Sequence, residues 1–205
     1  GDVTDPAVCA GLVADAASRL GGLDILVTNA GGPPAGTFDS TPLDAWESAF
    51  QLTLMSAVRM IRCVLPQMRA QQSGSILTVT SISIREPVDN LLLSNVFRSG
   101  VVALVKSLAN DLSDAGIRVN NLVPGRIDTE RVRTLDRISA EKKGIDVNEE
   151  RQAQFAEIPL GRYGSIEELW QAFSEVLESA DVAAAAPEHP VALKLIDDLA
   201  AAGDP

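Results

Sequence analysis

Apolar residues recur along the chain with two different periods. Three short stretches are rich in apolar and β-branched residues and are bounded by turn residues, which is typical of strands. The predicted strands are 23–28, 75–81 and 117–123. Longer stretches carry apolar residues at helical spacing. The predicted helices are 6–20, 42–71, 93–115 and 165–179, with a weaker helix at 190–202 and a charged, weakly helical stretch at 126–158.

Residue types at the helix ends support these boundaries. Asp5 or Thr4 can cap the first helix, which then stops at the following Gly-Gly pair. Thr41 is the predicted cap of the second helix, and Asp44 can reach back to it. The sequence SIEE at 165–168 is a capping-box pattern, which predicts the start of the last long helix.

The order of these elements predicts the architecture. Strands separated by helices of this length pair in parallel through right-handed crossovers, with helices on both faces of the sheet. We therefore expect a doubly wound α/β domain with a parallel, Rossmann-like sheet over residues 1–179. From position 180 the composition changes to an alanine-rich acidic stretch, so residues 180–205 are expected to be a divergent tail.

Composition and charge narrow the class of protein. Of the 205 residues, 46% are hydrophobic and 22% are charged, as in ordinary globular proteins. The formal net charge of −11 disfavours sequence-independent binding to nucleic acid or to an anionic membrane, because both require a basic surface. No stretch reaches the roughly 18 consecutive apolar residues of a membrane span.

Cysteine and histidine usage points to a reducing compartment without a metal centre. Cys9 and Cys63 lie in apolar helical patterns, which predicts reduced core thiols, although two cysteines leave one bridge formally open. With His189 as the only histidine, no metal-ligand cluster is expected. The amino end, GDVTDP, has no signal-peptide pattern. We therefore expect a cytoplasmic protein.

Four sequence motifs follow one another along the chain. They are LDILVTNAGG at 23–32, SILTVTSISI at 75–84, SGVVALVKSLANDLSDAGIRVNNLVPGRIDT at 99–129 and PLGRYGSIEEL at 159–169. Together and in this order they resemble the motifs of the short-chain dehydrogenase/reductase family, over the chain from Asp2 to about Leu177. The resemblance implies an NAD or NADP cofactor and the reversible reduction of a small-molecule carbonyl compound to an alcohol.

The resemblance also implies a cofactor site. Asp2 stands where the family contacts the adenine. The turn at 29–31, after the next strand, has small residues that let the cofactor lie on backbone. A later Pro-Gly turn and a threonine hydroxyl would hold the nicotinamide amide, and an arginine could fork onto ribose hydroxyls. The implied cofactor-binding residues are Asp2, Asn29, Ala30, Gly31, Arg98, Pro124, Gly125 and Thr129.

Four positions, one of them the Arg98 already named, correspond to the family's catalytic residues. Ser81 is the implied catalytic serine, whose hydroxyl can hydrogen-bond the carbonyl oxygen as negative charge develops on it. Ser94 stands in the tyrosine place and Arg98 in the lysine place, while Thr53 stands where an asparagine often orders a water. The alternatives are a serine that only satisfies the end of a strand and an arginine that is a plain surface cation.

The two substitutions change the implied proton chemistry. An aliphatic hydroxyl is a weaker acid than a phenol, and the oxygen of Ser94 stops about 4 Å short of a tyrosine's reach. Arg98 stays charged and does not relay a proton. The only tyrosine, Tyr163, lies in the late loop. A divergent branch of the family carries a similar Leu-Ser-Asn motif with arginine in the lysine place, so LSNVFR at 93–98 is interpreted as a lineage feature.

Two parts of the family pattern have no counterpart in these residues. No G-x-x-x-G-x-G segment occurs, and the first two strand–helix units, which seat the pyrophosphate, are not found. The tail from position 180 stands where the family's last strand is expected. We therefore expect a truncated or degenerate copy of a longer protein, with one exposed strand edge and no useful turnover by the 205 residues alone.

Three functions are compatible with these observations. The first is an NAD(P)-dependent oxidoreductase acting on a carbonyl or alcohol, similar to 3-oxoacyl-carrier-protein reductases. The second is a non-catalytic relative that binds nucleotide or partners through the same fold. The third is a dimerising remnant, since in this family the helices at 42–71 and 93–115 often pair across a two-fold axis to form homodimers or homotetramers. The sequence names neither the substrate nor the choice between NAD and NADP.

Overall fold

A computed structural model describes residues 1–178 of the chain. The described part forms two compact units, residues 1–123 and residues 124–178. The predicted tail at 180–205 and its weak helix at 190–202 lie outside the described residues.

The first unit is built on a three-stranded parallel sheet. Its strands are β1 (Ile25–Thr28), β2 (Gly74–Val79) and β3 (Ile117–Leu122), side by side in that order. All three predicted strands are present, and the predicted parallel α/β architecture is confirmed. Within residues 1–178, β1 pairs with β2 alone, so its other edge is open in the described part, as expected.

The helices of the first unit largely follow the predicted boundaries. They are α1 (Pro6–Leu20), α2 (Leu43–Ala49), α3 (Ser56–Gln71) and α4 (Leu92–Asp111), with short 3-10 turns at Ile82–Ile84 and Ser113–Ala115. Asp5 caps α1 by accepting a hydrogen bond from the Ala7 amide at 2.7 Å. Gly21 ends the same helix in the left-handed conformation, at φ 76°.

The hydrophobic core of the first unit lies between the sheet and α3. Ile61, Val64 and Met68 of α3 are buried together with Ile76 of β2. Burial of each such side chain contributes about 1.5–3 kcal/mol. Met68 packs so closely on Gly74 that a β-carbon there would lie 2.6 Å from the Met68 sulfur, so glycine is required at the start of β2.

The start of the second predicted helix differs from the expectation. The N-cap place is taken by Pro42, which makes no side-chain capping hydrogen bond. Thr41 instead donates its hydroxyl to the Thr37 carbonyl at 2.6 Å, and Asp44 accepts from the Ala45 amide. The predicted Thr41 cap is therefore wrong, because Thr41 lies one residue before the N-cap position.

A π-helical segment, Phe50–Met55, joins α2 to α3. The Ser56 amide donates to the Gln51 carbonyl, five residues back, where an α-helix would use the fourth. The helical period predicted one continuous helix here and gave no sign of this segment. Thr53 is buried within it. Such segments inside α-helices are frequent at functional sites.

The second unit consists of loops and three helices. These are α5 (Glu130–Lys143), α6 (Val147–Ala156) and α7 (Ile166–Glu178). The stretch predicted to be weakly helical therefore holds two regular helices. The capping box before α7 is confirmed, because the Glu168 amide donates to the Ser165 hydroxyl at 3.2 Å and the Ser165 amide donates to the Glu168 carboxylate at 2.8 Å.

Two helical segments of the described part, Leu43–Gln71 and Leu92–Asp111, are long and apolar enough to cross a membrane by length and composition. Both contribute side chains to the core of the sheet, among them Ile61 and Val105. Core helices of soluble proteins meet the same criterion, so length and composition alone do not show a membrane span.

The two cysteines are free thiols. Cys9 is fully buried, as predicted, and burial raises the pKa of its thiol, whereas Cys63 is only partly buried. Among residues 1–178, no group of three or more His, Cys, Asp or Glu side chains is placed to hold a metal ion.

Candidate active site

Ser81 lies directly after β2, in extended backbone at φ −160°. The amide of Thr80, the preceding residue, donates to the Leu122 carbonyl at 2.9 Å, so the β2–β3 pairing continues up to this point. The Ser81 hydroxyl oxygen accepts from the Ser83 amide at 3.3 Å and thereby caps the 3-10 turn Ile82–Ile84. Its own proton remains available for donation to another group.

Ser94 lies in the first turn of α4 and is 7% exposed. Its hydroxyl oxygen accepts a hydrogen bond from Arg98 Nε at 3.1 Å, one helical turn further on. The pair therefore shares one face of the helix, as the spacing predicts. Because this contact uses the oxygen as an acceptor, the Ser94 proton also remains available for donation.

Arg98 joins the ends of two strands to α4. Its Nη1 lies 3.3 Å from both the Val79 and Thr80 carbonyl oxygens at the end of β2. Its Nη2 donates to the Ala30 carbonyl, in the turn after β1, at 3.3 Å. With the bond to Ser94, four of the five guanidinium donors are engaged on protein atoms. The half-buried side chain is thus no plain surface cation, and burial lowers the pKa of its guanidinium.

A buried row of polar side chains fastens the carboxyl ends of β2 and β3. The Thr78 hydroxyl lies 2.7 Å from Asn121 Oδ1, and Asn121 Nδ2 donates to the Thr80 hydroxyl at 3.0 Å. Thr78 and Thr80 are both buried. The row lies one residue before Ser81, so it fixes the point from which that serine leaves the sheet.

Two buried hydroxyls near these elements make no hydrogen bond within the described part of the chain. They are Thr53 Oγ1, in the π-helical segment, and Ser83 Oγ, in the 3-10 turn after Ser81. α4 packs against both of these segments. A buried hydroxyl without a partner is costly, so each is suited to bind a water molecule or a polar ligand group.

The turn after β1 fits the predicted cofactor contact. Asn29 and Gly31 are exposed, and a β-carbon placed on Gly31 would have no protein atom within 4 Å. The space beside the turn is thus open for a ligand lying on the backbone. Asp2 is exposed as well, and hydrogen bonds from the Thr4 amide and hydroxyl to its Oδ1 lower the pKa of its carboxyl. Its other carboxylate oxygen is free to accept from an amino group.

Three predicted cofactor residues lie at the start of the second unit. Pro124 and Gly125 form the turn after β3, and nothing lies within 4 Å of a β-carbon placed on Gly125. Thr129 caps α5, its hydroxyl oxygen accepting from the Val132 amide at 3.4 Å. The Thr129 hydroxyl proton is therefore free for donation, which fits an amide carbonyl as acceptor.

Tyr163 cannot replace the missing phenol of the tyrosine place. Its hydroxyl donates to the buried Asp136 carboxylate at 3.0 Å, and Arg151 lies 5.0 Å from the centre of its ring. Burial and the neighbouring Asp136 raise the pKa of Tyr163 to about 12. A phenol that is already donating and is a weaker acid than usual has a structural role in the second unit.

The sequence pointed to Ser81, Ser94, Arg98 and Thr53 but not to their supports. Asn95, Thr78 and Asn121 were missed, because a polar residue on a helix or strand gives no signal of its partners. Only Asn95 carried a hint, as the last residue of the Leu-Ser-Asn motif at 93–95.

Comparison with known proteins shows which proteins this chain resembles. A family model described as enoyl-(acyl carrier protein) reductase matches residues 1–181. The chain is 35% identical over 170 residues to L-rhamnose 1-dehydrogenase (NAD(P)(+)) of Sphingomonas sp. (strain SKA58), covering 82% of this chain and 63% of that protein. It is 33% identical over 135 residues to dehydrogenase/reductase SDR family member 4 of Bos taurus, covering 65% of this chain and 48% of that protein.

A solved structure shows the same fold. The crystal structure of L-sorbose reductase from Gluconobacter frateurii, complexed with NADPH and L-sorbose, superposes with a TM-score of 0.78 at 30% identity. The match covers 86% of this chain and 67% of that one. The chain thus spans about half to two thirds of the length of the curated relatives described above.

Proposed function

The chain belongs to the short-chain dehydrogenase/reductase family, and on this premise we propose that it carries the catalytic part of an NAD(P)-dependent oxidoreductase interconverting a carbonyl compound and an alcohol. The single observation that supports this most strongly is the hydrogen bonding of two serine hydroxyls. Ser81 and Ser94 each accept a hydrogen bond from the protein and keep a proton to donate, and Arg98 links both of their neighbourhoods.

In the first unit, the turn Asn29-Ala30-Gly31 and the Asp2 carboxylate would hold the cofactor. For Pro124, Gly125 and Thr129 of the second unit, contact with the cofactor stays a prediction. NAD(P)H, when bound, supplies the hydride that reduces the carbonyl carbon. Arg98 would act mainly by supporting the site, since most of its donors bind backbone carbonyls at the strand ends. Direct contact of Arg98 with ribose stays a prediction.

Ser81 and Ser94 would stabilise the reacting oxygen. As hydride reaches the carbonyl carbon, negative charge develops on the oxygen, and a fixed hydroxyl that donates to it lowers the barrier. The Arg98 charge beside Ser94 strengthens that hydroxyl as a donor, because a hydrogen bond accepted from a cation polarises its O–H bond. The serine pair thus replaces one serine and one phenol.

The proton that completes the alcohol would come from water. Serine and arginine are poor proton sources at neutral pH, and Tyr163 is held by Asp136. Thr53 Oγ1 is buried and has no hydrogen-bond partner in the described residues, which suits a bound water. We therefore assign Thr53 the role of holding the water from which the proton is delivered.

The loop that follows the 3-10 turn suggests a polar substrate. The loop exposes four polar residues, Arg85, Glu86, Asp89 and Asn90. A polar surface of this kind suits the hydroxyl groups of a substrate better than an acyl chain. The names of two relatives, L-rhamnose 1-dehydrogenase and L-sorbose reductase, refer to sugars. We propose a small hydroxylated aldehyde or ketone as the substrate.

The test is cofactor-dependent turnover by the complete gene product. NADH and NADPH oxidation would be followed with L-sorbose, and NAD+ and NADP+ reduction with L-rhamnose, after calorimetric titration of each cofactor. We expect turnover with one sugar and one cofactor. Ser107→Ala is the matched control, since Ser107 is exposed on α4 and its hydroxyl, within the described part of the chain, bonds only to the Ala103 carbonyl. Cofactor binding without turnover of any sugar or simple ketone would sink the enzymatic proposal.

A non-catalytic nucleotide-binding protein is the second candidate. It is favoured by one specific observation, which is that Arg98 uses most of its donors on the backbone, where the family places a lysine at the cofactor. On this alternative the calorimetric titration would show binding while every turnover assay stays at background.

We also propose that the protein is a cytoplasmic homodimer or homotetramer that pairs through α2–α3 and α4. Leu43 and Val96 expose apolar surface on these helices, at 86% and 43%. Sedimentation of Val96→Glu should show loss of the paired species, whereas Ser107→Ala should sediment as the unaltered protein does.

A further inference from the structure

The loop at 85–91 connects the 3-10 turn Ile82–Ile84, which follows Ser81, to α4, which carries Ser94. It is polar, and it contains no regular secondary structure of its own. Loops of this composition are usually mobile unless their backbone groups are bound. The hydrogen bonds of this loop therefore decide whether it is preformed or has to close over a substrate.

The side-chain amide of Asn95 binds both backbone groups of Val88, in the middle of the loop. Its Nδ2 donates to the Val88 carbonyl at 3.0 Å, and its Oδ1 accepts from the Val88 amide at 3.4 Å. One side-chain amide thus satisfies both backbone groups of a single loop residue, as a neighbouring strand would. The half-buried Asn95 is next to Ser94 and on the first turn of the helix, so the loop is fixed directly to the turn that bears the reacting hydroxyl.

A second tie holds the end of the loop. The Gly36 amide donates to the Asn90 carbonyl at 2.7 Å, and the Leu92 amide donates to the Gly36 carbonyl at 3.3 Å. Asn90 itself adopts the left-handed conformation, at φ 59°, which non-glycine residues rarely take except asparagine and aspartate. The Leu91 amide closes a turn onto the Val88 carbonyl at 3.2 Å. The loop is therefore held at both its middle and its end.

We propose that Asn95 is a positioning residue that keeps loop 85–91 preformed beside Ser94, so that substrate binds to an already ordered loop and no loop closure is needed. Only the role of the loop in substrate binding rests on the proposed function; the clamp itself does not. It also gives a physical reason for the Leu-Ser-Asn motif: serine supplies the hydroxyl, asparagine holds the loop, and Arg98 holds the strand ends.

Amide hydrogen exchange on the complete protein tests the clamp without any activity. Asn95→Leu keeps the approximate size and removes both hydrogen bonds, while Asn95→Asp keeps the acceptor and loses the donor. Asn110→Leu is the matched control, because Asn110 is an exposed asparagine at the far end of the same helix. We expect exchange at the Val88 and Leu91 amides to rise about tenfold or more in Asn95→Leu, less in Asn95→Asp, and not at all in Asn110→Leu.

Steady-state kinetics with NADPH and L-sorbose test the positioning role. Loss of the preformed loop should raise KM for L-sorbose about tenfold in Asn95→Leu while kcat stays within about twofold, since the reacting groups are untouched. Asn95→Asp should fall between Asn95→Leu and the unaltered protein. An equal fall in kcat with unchanged KM would contradict positioning of the loop.

The outcomes separate this proposal from the proposed function. Unchanged exchange at Val88 and Leu91 in Asn95→Leu would overturn the clamp, whatever the activity. Faster exchange with unchanged KM would overturn the positioning role. If the unaltered protein turns over neither sugar, the proposed function fails. The exchange rates alone then decide whether Asn95 keeps the loop preformed.

Discussion

At position 98, an arginine makes contacts that a lysine could not make. Its planar fork reaches the carbonyls that end β1 and β2 and, through Nε, the hydroxyl of Ser94. A lysine has one nitrogen and three donors, so it would hold only part of this set. The serine–arginine pair is therefore a coherent local arrangement, in which the longer cation makes structural contacts and the shorter hydroxyl accepts one of its hydrogen bonds.

Replacing Arg98 should weaken the fold in a graded way. Arg98→Met removes four hydrogen bonds donated by a charged group and should lower the free energy of unfolding by about 2 kcal/mol. Arg98→Lys should cost about half of that, since some donors remain. Urea denaturation with Arg62→Met, an exposed arginine on α3, as control measures both. Equal stability of Arg98→Met and the control would show that these bonds contribute nothing.

Tyr163 allows a clean titration, because it is the only tyrosine among the 205 residues. Its pKa is raised from 10 to about 12, so the protonated phenol stabilises the folded state. That contribution is complete below about pH 10 and is lost as the pH rises from about 10 to about 12. Ultraviolet absorbance should give a midpoint near pH 12 in the folded chain and near 10 in concentrated urea. A folded midpoint near 10 would show that Asp136 and burial do not hold the phenol.

The sequence predicted part of this residue-scale arrangement. A spacing of four on a helix was enough to place Ser94 and Arg98 on one face. The backbone partners of Arg98 could not be predicted, because the Ala30 carbonyl is 68 positions away and is brought near only by the parallel sheet. Likewise, nothing in the sequence predicted that the hydroxyls of Thr53 and Ser83 would be buried without a hydrogen-bond partner among residues 1–178.

At the scale of elements, predictions succeeded where residue type alone decides local geometry. The Ser165–Glu168 capping box and the Gly21 helix end are local rules, and both hold. The Thr41 cap failed because the helix begins one residue later than predicted, so Pro42 takes the N-cap position and Thr41 lies outside it. The π-helical segment Phe50–Met55 was not predicted, because its hydrogen bonds to the fifth residue back are a feature of the backbone that no residue type marks.

The π-helical segment makes a prediction of its own about Thr53. Thr53→Val keeps the shape and removes a hydroxyl that has no protein partner in the described residues. If that hydroxyl holds a catalytic water, kcat should fall about tenfold or more while the free energy of unfolding changes by less than about 1 kcal/mol. Thr53→Ser, which keeps the hydroxyl, should retain most of the activity. A Thr53→Val enzyme with unchanged kcat would show that the water is held elsewhere.

At the scale of the whole molecule, three candidate site segments directly follow the strands of the parallel sheet. The turn after β1, Ser81 after β2 and the turn after β3 all follow a strand, which is where α/β folds bind ligands. This much follows from the alternation of periods in the sequence. The row Thr78–Asn121–Thr80, which fixes the strand ends, depends on register and could not be predicted.

The most direct test of the account is the pH dependence of kcat/KM for NADPH-driven reduction of L-sorbose, in the complete gene product and in Ser81→Ala. None of the groups assigned to the reaction, Ser81, Ser94, Thr53 and Arg98, titrates near neutrality. We therefore predict a profile that is flat from pH 6 to 9 and a fall of about 10²–10³ in Ser81→Ala. An acidic limb within this range, or a Ser81→Ala enzyme as fast as the unaltered one, would contradict the account.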